Sequence, residues 1–244
     1  HAQPTKTTEE RLAVATSQAD HDTNDQPVRR RAQLDRDVII QAVLELSAHG
    51  KPLTFRALGT ALGADPTAMY RHFRDKDELV RGAFDRMLTE VSSRIDTAAS
   101  WREQLRQSAV ATMEICEKYP SIGAEALALT THGPGELTAV EHLLQQFLRA
   151  GLDQAAAVRF YAAYSSYLLA ASATSASLVL APRLDRTSGP EEREWIGDMG
   201  RVDAALYPAV ASARSELAKL QDREVFMMGL DVLLDAAAAA GSKA

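Results

Sequence analysis

Between Thr54 and Leu79 the chain reads TFRALGTALGADPTAMYRHFRDKDEL, and Pro66, Thr67, Ala68 and Arg71 gather at the start of a short helix inside that stretch. Side chains of these types suit the reading of a nucleic-acid groove. A helix entering the major groove must present groups small enough to approach base edges or polar enough to hydrogen-bond with them. The methyls of Thr67 and Ala68 fit thymine methyls, and Arg71 is the best candidate in the helix for a base contact.

The elements that must hold these residues are legible from caps and spacing. Thr54 caps a helix in which Phe55, Leu58 and Leu62 recur at helical spacing, and Gly63 supplies the left-handed stop, so one helix is predicted from Phe55 to Leu62. Asp65 as N-cap and Pro66 at the first helical position start a second, two-turn helix over Thr67 to Phe73. Asp75 and Glu78 form a capping-box pattern for a third helix with Leu79, Ala83, Phe84, Met87, Leu88 and Val91 on its apolar face. Two short helices around a tight turn, propped on a longer one, make a helix-turn-helix. Phe55, Leu58, Leu62, Met69 and Phe73 are read as its packing residues.

With the preceding amphipathic DRDVIIQAVLELSAHG, the runs LTFRALGTALG and AMYRHFRDKDEL resemble the TetR/AcrR family of one-component transcriptional regulators, over about Leu34 to Val91. LYPAV and EVFMMGLDVLLDAAAA near the end resemble the closing helices of its tetracycline-repressor-like branch. The resemblance implies that Arg56 contacts a base or the backbone, and that Thr54, Tyr70, His72 and Lys76 hold phosphates and fix register. Many relatives carry a polar residue where this chain has Pro66, which makes the expected contact there apolar and weaker.

Charge follows the same division. The chain is net −6, a poor balance for a nucleic-acid binder, yet residues 28–86 hold 11 Lys/Arg against 8 Asp/Glu. An acidic remainder limits nonspecific adhesion and leaves contacts to the head. Residues 1–33 read as a polar flexible tail ending in the basic arm Arg29, Arg30 and Arg31; the triplet suits either a solvated run or phosphate and minor-groove contact. Residues 34–80 read as the helix-turn-helix domain and 81–244 as a helical body for ligand binding and dimerisation.

The body is predicted as helices over Trp101 to Tyr119, Ile122 to about Leu129, Gly135 to Arg149, Gln154 to Leu180, Val202 to Leu220 and Arg223 to Ala240, with a polar loop from Arg183 to Gly200. The fold class is therefore all-α. Phe160 to Pro182 lacks charge over 23 positions, but its six Ser/Thr hydroxyls, three tyrosines and many alanines favour a buried helix over a membrane span. No membrane partner is expected. A heptad-like stripe of Val158, Ala162, Ser165, Leu169, Ser172, Ala176 and Val179, and a second of Phe226, Leu230, Leu233, Ala237 and Ala240, suit either intrachain packing or, as the resemblance implies, a four-helix homodimer interface. The resemblance also arranges Trp101, Met113, Phe147, Tyr161, Tyr164, Tyr167, Trp195 and Met227 around a central space for an unknown small-molecule effector.

Catalysis and cofactors find no footing. No G-x-S-x-G, H-E-x-x-H, P-loop or G-x-G-x-x-G pattern occurs. His132 occupies a place where tetracycline-binding relatives use a histidine, yet no carboxylate cluster accompanies it, and His142 is too far along to share its helix face; no metal is assigned. The lone Cys116 excludes an internal disulfide framework, and with no signal-peptide pattern a cytoplasmic location is expected. The expected function is a ligand-responsive repressor on palindromic operator DNA; the alternative is a constitutive architectural DNA-binding dimer without an inducer.

Overall fold

The computed structural model describes residues 34–125, 130–181, 200 and 202–242, among which ten helices and no strand occur. All ten helices belong to one compact unit, residues 35–244. The head comprises α1 (Arg36–Ala48), α2 (Phe55–Leu62), α3 (Pro66–Met69) and the first turns of α4 (Lys76–Ser92). Three starts are capped as the sequence predicts, with Thr54 accepting from Ala57 N at 3.1 Å, Asp65 from Thr67 N at 2.8 Å and Asp75 from Glu78 N at 2.7 Å, and Asp35 caps α1 by accepting from Val38 N at 2.8 Å. Gly63 ends α2 at φ 61°, a left-handed conformation that favours glycine. Leu58, Met69, Phe73, Ile39, Val43 and Leu79 bury essentially completely and knit the head together. Each such side chain contributes roughly 1.5–3 kcal/mol by leaving water.

Beyond the head lie α5 (Trp101–Lys118), α6 (Pro120–Gly123), α7 (Pro134–Arg149), α8 (Gln154–Leu180), α9 (Pro208–Leu217) and α10 (Asp222–Gly241). A core of Leu105, Ala109, Met113, Phe147, Tyr164, Leu168, Phe226, Leu230 and Leu234 joins α5, α7, α8 and α10. Helix α8 is apolar on several sides because it is packed on several sides; no described helix is long and apolar enough to cross a membrane.

Several expected boundaries shift. The second head helix ends at Met69 rather than Phe73, and single turns carry the chain from there to Asp75, where α4 begins under its own cap. The predicted Ile122 helix starts earlier, at Pro120, because Pro120 fits a first helical position, and it ends at Gly123. The helix expected from Val202 begins only at Pro208. The expected head/body division after residue 80 falls inside the continuous helix α4.

Candidate nucleic-acid interface and candidate ligand cavity

The reading surface is built on the tight turn between α2 and α3. A Cβ on Gly59 would lie 2.8 Å from Ala64 O and 3.0 Å from Pro66 Cγ, so glycine there lets the turn fold back onto α2. Pro66, Thr67, Tyr70 and Arg71 are exposed, Ala68 and His72 are half-buried, and Met69 and Phe73 anchor the segment from beneath. Thr67 is committed on its polar side: its hydroxyl donates to Asp65 Oδ1 at 2.7 Å. That hydrogen bond, with the Thr67 backbone donor, holds the Asp65 carboxyl below the usual range. The Tyr70 ring packs on Phe55 with centroids 4.5 Å apart.

Cations of the head fall into two groups. Arg36 lies 4.1 Å over the Phe73 ring, donates to the His72 carbonyl and reaches Glu78 Oε1 at 3.1 Å, while Arg74 donates its backbone N–H and Nε to Glu78 Oε2 at 2.9 and 3.1 Å. The Arg74 backbone N–H foremost, then the Arg74 and Arg36 side chains, bring Glu78 down to about 2. These arginines brace the link from α3 to α4. Arg56 and Arg71, by contrast, are exposed, and their side chains have no hydrogen-bond or ion-pair partner among the described residues. Lys76, expected on a phosphate, pairs with Glu125 Oε1 of the body at 3.0 Å.

Head and body are joined elsewhere too. Ile122 N donates to Ser47 Oγ at 3.3 Å, setting α6 on α1, and Lys118 pairs with Glu90 at 3.0 Å, tying the last turn of α5 to α4. A Cβ on Gly123 would lie 2.6 Å from Cys116 O, so α6 folds tightly against α5. Asp85 of α4 caps α7 from 50 residues away: Oδ2 accepts from Gly135 N at 3.1 Å, and Oδ1 from Glu136 N at 2.9 Å and Thr131 Oγ1 at 2.8 Å. Cβ atoms on Gly133 and Gly135 would come within 2.4 and 2.2 Å of Asp85. The Gly-Pro-Gly turn exists to let this carboxylate in.

A cavity of about 290 Å³ lies among α5, α8 and α10. Of the eight residues expected at an effector site, Met113 and Tyr167 line it. Tyr164 and Phe147 do not: both are buried in the core, their rings meet edge to face at 5.9 Å, and the Tyr164 hydroxyl donates to Leu105 O at 2.8 Å. Trp101, Tyr161 and Met227 pack against the same core, and Trp195 lies outside the described residues. Aromatic content marked these positions, but large rings at helical spacing fill space rather than leave it. The cavity is opened by small side chains of α8, Ala170, Ala171 and Thr174, beside Tyr167 of the same helix, whose ring stacks on Phe226 of α10 at 5.7 Å. Glu117, Ser175, Asp222 and Arg223 supply its polar lining.

The expected seams are corrected in a similar way. Phe226, Leu230 and Ala237 face the chain's own core and Ser172 is fully buried, while Ser165, Leu169 and Leu233 are half-buried. The face that α10 leaves open carries Met228 and Val232, 61% and 63% exposed, and α8 leaves Val158 and Ala162 exposed. On α10 the spacing had selected the inward stripe.

Residues 96–239, more than half of the chain, match the profile of the tetracyclin repressor-like C-terminal domain. The chain belongs to the TetR family. A TetR transcriptional regulator of Streptomyces coelicolor shares 26% identity and superposes with a TM-score of 0.67 over 86% of this chain and all of its own. Apo ActR from the same organism, at 19% identity, has the same fold with a TM-score of 0.70 over 87% of this chain and 98% of ActR. A helix-turn-helix transcriptional repressor of Mycobacterium tuberculosis is 28% identical over 222 residues, 85% of this chain and 81% of that protein. This TetR-family chain is accordingly a transcriptional regulator, and its relatives are regulators rather than enzymes. His132 stands at φ 53° with its backbone N–H on Glu136, and no group of three or more His, Cys, Asp or Glu residues able to hold a metal occurs among the described residues.

Proposed function

We propose that the chain is a ligand-responsive repressor that binds a palindromic operator as a homodimer and leaves it when a small molecule enters the cavity among α5, α8 and α10. The observation that carries the DNA part is the pair Arg56 and Arg71: exposed at the helix-turn-helix, with side chains unengaged among the described residues, whereas Arg36 and Arg74 are committed to Glu78. Guanidinium groups left in this state are suited to guanine O6 and N7 or to phosphate. The apolar faces of α8 and α10 at Val158, Ala162, Met228 and Val232 give a second copy somewhere to pack.

The ligand part rests on the cavity's position. Glu117 lines it, the adjacent Lys118 holds α4, and two residues on begins α6, which lies on α1. An occupant that moves the last turn of α5 therefore pulls on both helices that carry the head. ActR, alike in fold at 17% identity, has been solved with actinorhodin bound. Because two heads must enter successive major grooves about 34–36 Å apart, a small pivot breaks the match.

Compounds that raise the melting temperature of the protein can be tested against an operator fragment by fluorescence anisotropy. At least one is expected to weaken the DNA complex about 5–150-fold. Compounds that bind without changing DNA affinity would contradict induction and favour a constitutive architectural dimer.

A further inference from the structure

We infer that the effector is a small lipophilic cation, an aromatic ammonium or amine, recognised by Glu117; this rests on the proposed role of the cavity as the effector site. The walls are mainly apolar, with Met113, Ala171, Leu178 and Val225 beside the stacked rings of Tyr167 and Phe226. Stacked aromatic faces attract a cation as well as a neutral ring.

The charge in this lining is lopsided. Glu117 has one hydrogen-bond partner among the described residues, the Ser175 hydroxyl, which donates to Oε1, and it makes no ion pair there. Helix α5 ends at Lys118, so the negative end of its dipole lies around Glu117. Asp222 is a second carboxylate, but it stands in the first turn of α10, where the helix N-terminus offsets its charge. The one cationic wall residue, Arg223, donates to Glu114 Oε1 at 3.1 Å, so its charge is answered on α5. A carboxylate beside an apolar space, answered only by a hydroxyl, is costly to desolvate unless a cation joins it. A neutral or anionic occupant would impose that desolvation without repaying it; an ammonium would supply the missing charge-assisted hydrogen bond.

Three matched probes test this by isothermal titration calorimetry: 2-naphthylmethylamine, 2-naphthylmethanol and 2-naphthoate. The amine is expected to bind at least about tenfold more tightly than the alcohol, and the naphthoate most weakly. In Glu117→Gln, which keeps an acceptor for Ser175, the preference for amine over alcohol should vanish while alcohol affinity is unchanged. Binding without a charge preference, binding that favours the naphthoate, or a preference that survives Glu117→Gln would overturn the inference and leave the cavity reading standing. Failure of all three probes to bind, with the protein folded by circular dichroism, would remove the cavity as an effector site and the inference with it.

Discussion

On the proposed reading, Arg71 and Lys76 make the two kinds of contact expected of a DNA head. Arg71→Ala should cost roughly 1–3 kcal/mol on the operator and relax preference at one base position, whereas Lys76→Ala should weaken all sequences alike and shallow the salt slope by about one. Anisotropy on matched and scrambled fragments at several salt concentrations distinguishes them; equal loss of specificity in both variants would contradict the roles. Lys76 carries a further consequence, since it must leave Glu125 to reach a phosphate. Glu125→Gln should therefore tighten DNA binding modestly, by the few tenths of a kcal/mol typical of an exposed pair. The exposed place of Arg71 was legible in the sequence because the turn fixes it only six residues after Asp65. The Lys76 partner was not, being 49 residues away in a segment with no pattern of its own. Glu117 escaped notice for a related reason: a single acid in the last helical turn looks solvated until α8 and α10 are packed around it.

At the scale of elements, local chemistry was legible and remote chemistry was not. Thr54, Asp65 and Asp75 each cap within three residues, and all three helix starts stand where the sequence put them. The cap of α7 is different, because Asp85 belongs to another helix, and it was not legible in the sequence. Asp85→Ala should destabilise the fold by about 1–2 kcal/mol, lowering the melting temperature by roughly 2–4 °C for each kcal/mol. Because that carboxylate ties α4 to the body, the same variant should also reduce ligand-driven DNA release; a full loss of stability with coupling intact would show that the cap is structural alone. Glu78 offers a pH test. Its carboxyl is lowered from 4.5 to about 2 in the folded chain, so its stabilisation is present above pH 4.5 and is lost as pH falls toward 2. The melting-temperature gap between wild type and Glu78→Gln should accordingly be constant near neutrality and close across that window. A gap independent of pH would mean that the Arg36 and Arg74 contacts act through packing rather than charge.

For the whole molecule, amphipathic spacing revealed an all-helical body but not which stripe faces inward. Leu230 is fully buried in the chain's own core, so a charge there would unfold the protein; Val232 on the open face is the discriminating position. Val232→Glu should leave the fold intact and raise the dimer dissociation constant at least about 100-fold, as expected for a charge desolvated in an apolar interface. Light scattering at micromolar concentration reads this directly, and a variant that stays dimeric would take the α10 face out of the interface. The account as a whole stands on sequence-specific binding by two heads held one helical turn apart. Selection of genomic fragments on the purified protein, followed by sequencing, tests it most directly. Wild type is expected to recover fragments sharing an inverted repeat with half-site centres about 10 base pairs apart, and Arg71→Ala to lose preference at the same base in both halves. Recovery of fragments with no shared sequence, from wild type and variant alike, would contradict it.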